Sequence, residues 1–266
     1  MDFSRRNFLS TAAALPFAMR EPGTREPRAP EPAITEPATV VPDAFPMQRP
    51  DMVREMVIVS HGNVKRVREL VEAHPALARA AIDWGFGDWE DALGAASHVG
   101  NREIAEYLIS RGARPTVFSA AMLGQLDAVK AFIAASPGVQ RIAGPHSISL
   151  LSHARAGRDA AKPVYDYLEQ LGEAGGPKTE PITDEEKNAL TGTYVFGSGS
   201  SDRIAITIDN GALMLNRPGM PFPRGLLHVG DRVFYPMGAA AVRITFTPTA
   251  ISIQDGEIAV SATKSM

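Results

Sequence analysis

The sequence predicts an α+β chain with two folded parts: an all-α array of helical repeats, then a small antiparallel β-barrel or meander. Three observations carry this expectation. Between residues 51 and 172, Ala, Leu and Val recur at helical spacing, and short glycine turns divide the segments. After residue 186 the apolar period becomes two: Ile204, Ile206 and Ile208 alternate with Ala205, Thr207 and Asp209. Proline is concentrated ahead of both parts, with eight of the 21 prolines in residues 19–50.

Composition narrows the classes. A chain of 266 residues with 44% hydrophobic and 21% charged residues is too apolar to be wholly disordered and long enough for one or two domains. A net charge of -3 argues against a nucleic-acid binder. With no Cys there is no disulfide, thiol nucleophile or Cys-ligated zinc.

The N-terminus carries Ser4-Arg5-Arg6-Asn7-Phe8-Leu9. An apolar run follows to Met19, with small residues ahead of a cut after Ala18. This resembles a twin-arginine export signal over residues 1–18. It implies a periplasmic or extracellular protein that crosses the membrane folded and keeps no membrane span after signal removal. Residues 19–50 repeat Glu-Pro every five residues from Glu21 to Pro37. Proline removes backbone donors and disfavours helix before it, so this stretch reads as an extended linker.

In residues 51–172, Gly62, Gly100, Gly124 and Gly157 stand 38, 24 and 33 residues apart, each ahead of an apolar stripe such as Ile104, Leu108 and Ile109. The segment from Ala92 to Ala113, with its Leu93-x-x-Ala96 helix, Gly100-Asn101 turn, Glu103-Ile104 helix and terminal Gly112-Ala113, resembles the ankyrin repeat family. That resemblance implies three to four stacked helix pairs with a concave protein-binding face. The family's Thr-Pro-Leu-His start is absent, and the 24-residue interval falls short of a unit of about 33 residues.

Residues 173–186 read as a second linker, and residues 187–266 as the barrel. Asn210-Gly211 is a type I′ hairpin signal within about eight short strands. Leu190-Thr191-Gly192-Thr193-Tyr194, Gly211-x-Leu213 and Leu226-x-His228-x-Gly230-Asp231 follow in order. They resemble the small barrel appended to secreted β-lactamase-like hydrolases. The implied role is an accessory module without catalysis.

No catalytic residues, metal or cofactor are expected. Ser261 and Lys264 have Ser-x-x-Lys spacing but lie in a final strand rather than at a helix start. The six His, at 61, 74, 98, 146, 153 and 228, are scattered; His61, His98 and His153 fall just before repeat glycines and read as helix-end polar positions, with no convergent ligand set expected. One segment stands out as a partner-binding candidate: Asp83, Trp84, Phe86, Asp88, Trp89 and Asp91. It holds both Trp of the chain among acids, which suits a binding hot spot. The alternative is that Trp84 and Phe86 fold back onto helices while the acids cap a helix starting near Glu90. Arg217, Phe222 and Arg224, in a proline-rich loop near a barrel mouth, are weaker ligand-binding candidates.

The expected function is an exported, non-enzymatic scaffold for an unidentified protein partner. Alternatives are a small-molecule carrier centred on the barrel, an accessory protein to a secreted hydrolase, or an enzyme with a site assembled between the parts from distant His, Asp and Ser.

Overall fold

A computed structural model describes residues 43–220 and 222–265. The twin-arginine segment and most of the proline-rich linker lie outside the described residues. From Ala44 onward the chain forms one compact unit. No helix among the described residues is long and apolar enough to cross a membrane.

The N-terminal half is built of short helices. α1 (Pro50–Val59) and α2 (Val64–Ala73) are followed by a hairpin of β1 (Ala81–Asp83) and β2 (Trp89–Asp91). Then come α3 (Ala92–His98), α4 (Arg102–Ser110), α5 (Val117–Met122), α6 (Leu126–Ala135), α7 (Leu150–Ala156) and α8 (Lys162–Leu171). Side chains cap several starts: Asn63, Asp91, Asn101, Thr116 and Ser149 each accept a backbone N–H from the first turn.

This corrects the expected fold class. The helices are 6 to 10 residues long, and the stretch after α2 forms a β-hairpin. Irregular 3₁₀ turns fill Val139–Arg141 and Pro145–Ser147. No long ankyrin-type all-α repeat array is present among the described residues. The uneven glycine spacing is the physical reason: it leaves unequal lengths of chain between helices, and these take up turns and a hairpin instead of a uniform repeat.

The barrel forms as expected. α9 (Asp184–Leu190) begins inside the stretch read as a linker and leads into β3 (Gly192–Val195). β4 (Arg203–Asp209), β5 (Ala212–Asn216), β6 (Arg224–His228), β7 (Val233–Pro236), β8 (Arg243–Phe246), β9 (Ala250–Asp255) and β10 (Ile258–Lys264) follow. Each strand pairs antiparallel with its sequence neighbour, and β10 pairs with β3 to close the ring. Asp209 faces Ala212 across the Asn210-Gly211 turn, whose φ values are 46° and 78°, the mirror-image turn that matches strand twist. Alternation turns Ile204, Ile206, Leu213, Leu215, Ile244, Phe246 and Ile251 inward, where they fill the barrel with Tyr194 and Phe234. The barrel core is thus packed side chain on side chain.

Candidate metal centre

Glu90 is the middle residue of β2. Strand alternation sends its neighbour Trp89 outward, 64% exposed, and turns Glu90 inward, where it is 0% exposed. A carboxylate this deeply buried needs partners. Trp84 Nε1 donates to its Oε2 at 2.8 Å. Three histidines supply the rest, each from the end of a different element. His61 follows the C-terminus of α1, His98 is the last residue of α3, and His146 sits in the turn before α7.

Ligand-capable atoms of His61, Glu90, His98 and His146 all lie within 4.8 Å of one another. His98 Nε2 is 2.9 Å from Glu90 Oε1, and His146 Nε2 is 3.4 Å from Oε2. His61 Nε2 is 3.8 Å from Oε2 and 3.1 Å from His98 Nε2. Donors about 2.05 Å from a tetrahedral ion stand about 3.3 Å apart; the contacts of 2.9 to 3.8 Å lie near that edge, within a cluster bounded at 4.8 Å. Glu90 Oε1 has no partner of proper hydrogen-bond geometry despite its proximity to His98.

The outer contacts fit the same reading. His61 Nδ1 donates to the Ile58 carbonyl at 3.0 Å, which leaves Nε2 its lone pair. His146 Nδ1 donates to Asp88 Oδ2 at 2.7 Å, the carboxylate–histidine arrangement that orients metal-ligating imidazoles. Asp88 also accepts the His146 backbone N–H at 2.9 Å and is paired with Arg224 from β6. Burial disfavours charge at His146, Glu90 and Asp88, and their close neighbours overturn it. Burial opposes the His146 imidazolium, yet hydrogen bonds to Asp88 and Glu90 raise its pKa to about 9. Burial opposes the Glu90 carboxylate, yet the close approach of His146 and His98 lowers it to about 2. Asp88, likewise buried, is lowered chiefly by His146. His153, behind the centre with its Nδ1 donating to the Ser149 carbonyl at 2.8 Å, is held neutral by burial, its pKa lowered to about 4.

The candidate residues named from sequence separate here. Asp88 and Arg224, from the two different candidate groups, meet as a buried pair. Trp84 is buried, stacking near Phe222 at 5.0 Å and His146 at 5.5 Å. Phe86 packs against the barrel core. Asp83 accepts a backbone N–H from Gly85, and Asp91 caps α3. Arg217 lies over Phe196, away from the centre. Of the patch expected to be a partner-facing hot spot, Trp84 and Asp88 are buried, Phe86 and Asp91 half-buried, and Asp83 and Trp89 exposed. His61 and His98 do stand at helix ends, but together with His146 they converge, where no convergent set was expected. Nothing in their spacing announces it, since the four ligands fall 29, 8 and 48 residues apart. No family model, curated protein or solved structure matches this chain.

Proposed function

We propose that this chain binds one first-row divalent metal ion, zinc foremost, through His61, Glu90, His98 and His146. The observation that carries the reading is the convergence of four buried or half-buried donors within 4.8 Å of one another, with His61 and His146 each committing Nδ1 elsewhere. Three imidazoles and a carboxylate, without thiolate, suit zinc and its neighbours rather than calcium or magnesium. Four protein donors complete a tetrahedron, which favours holding the ion over turning over a substrate on it.

The test is calorimetric titration of zinc into chelator-stripped full-length protein. One ion per chain is expected. His98→Ala and Glu90→Gln should each weaken binding by more than the roughly 100-fold that outer-shell losses reach. No saturable binding to the wild type, or unchanged binding in both variants, would end the proposal.

A second reading, an exported protein that binds a protein partner, is supported by Trp89, exposed beside the metal-facing Glu90. Trp89→Ala should abolish partner capture from a periplasmic extract; equal capture by the variant would remove Trp89 as its basis.

A further inference from the structure

Resting on the metal reading, we propose that Arg224 and the Gly238 turn of the barrel form the outer wall of the metal centre, so that filling the centre and seating the barrel on the helices are one linked equilibrium. The link is a chain of direct contacts. His146, a ligand, is gripped by Asp88 through both its ring and its backbone N–H. Asp88 in turn pairs with Arg224, whose guanidinium also donates to the Met237 carbonyl. Both charged residues are nearly inaccessible, Asp88 at 2% and Arg224 at 5% exposure. Removing Arg224 from this buried pair leaves the Asp88 charge to His146 alone, changing the group that orients His146.

The turn bearing His146 is held from two sides. His146 and Ser147 both have φ of 58°, a region that bulky L-residues avoid. Such a conformation persists where its surroundings over-determine it. From the helical side Asp88 fixes His146; from the barrel side the Gly238 N–H donates to Ser147 Oγ at 2.7 Å. Gly238 itself has φ of 85°, and a Cβ there would collide with the Asp88 carboxylate, so the barrel backbone presses directly on the group that orients the ligand. Apolar contact reinforces the seat, with Phe86 packed against the barrel core and Trp84 against Phe222. By linkage, whatever factor barrel seating adds to metal affinity, metal binding adds to barrel seating.

Arg224 is here a positioning residue that acts through Asp88. Zinc affinity of the full-length protein would be measured by chelator competition for wild type, Arg224→Met, Arg224→Lys and the distant control Arg217→Met. The expectation is a 10- to 100-fold loss for Arg224→Met. Arg224→Lys, which keeps a charge toward Asp88, should recover most of it, and Arg217→Met should match wild type. In unaltered protein, zinc should slow amide hydrogen exchange at Leu226, Leu227 and Tyr235, a readout independent of whether any variant folds. If zinc binds wild type, but Arg224→Met binds equally and barrel exchange does not change, the linkage is overturned and the metal centre stands. If zinc does not bind wild type, both fall.

Discussion

His146 and His153 lie in the same buried region and respond to pH with opposite sign. In the unfolded chain both titrate near 6.5. Burial opposes charge on both, but at His146 Asp88 and Glu90 prevail and raise the folded pKa to about 9. In the metal-free protein its contribution is complete below pH 6.5 and is lost as pH rises through about 9. His153 has a folded pKa of about 4, so its contribution is complete above pH 6.5 and is lost as pH falls toward 4, where the unfolded chain binds a proton that the folded chain refuses. Glu90, lowered to about 2, adds a further loss only below pH 4.5. The urea midpoint of chelator-stripped protein should therefore fall on both sides of pH 6.5. His146→Gln should flatten the alkaline limb, and His153→Leu the limb between 6.5 and 4. A wild-type midpoint unchanged across the whole window would contradict this assignment.

At the scale of elements, close approach of backbones sets the helical packing. Gly124 ends α5 with φ of 74°, and a Cβ there would meet the Ala160 carbonyl. Gly124→Ala combines a left-handed penalty with overpacking and should cost at least about 2 kcal/mol. Gly62 has nothing within 4 Å of such a Cβ, and Gly62→Ala should stay within about 0.5 kcal/mol. Chemical denaturation of the two variants checks the contrast; equal midpoints would mean the α5 turn is not a close contact. The barrel was readable in sequence because strand signals are local: alternation in Arg203–Asp209 and an Asn-Gly turn state face and register together. The helical half was readable as helices but not as an architecture. Turns such as Gly100-Asn101 and Gly124-Gln125 mark where helices break, whereas whether the intervening chain becomes a repeat finger or the Ala81–Asp91 hairpin depends on what it packs against. Phe86 illustrates this, since its packing against the barrel core is a long-range contact that no local pattern encodes.

At the scale of the whole molecule, the centre exists only because distant segments converge. His61, Glu90, His98 and His146 come from helix ends, a strand and a turn, and the outer shell adds Arg224 from the barrel, 136 residues from Asp88. Sequence singled out Asp88 and Arg224, each for a different reason, and left the four donors unassembled. A single Glu or His between helices carries no label; burial and convergence, which only folding supplies, turn it into a ligand. X-ray absorption spectroscopy at the zinc edge on zinc-loaded full-length protein tests this claim most directly. The expected result is a four-coordinate first shell of nitrogen and oxygen at about 2.0–2.1 Å with outer-shell scattering from three imidazoles, reduced to two in His61→Ala. A six-coordinate oxygen shell without imidazole scattering, or a spectrum unchanged in His61→Ala, would contradict it.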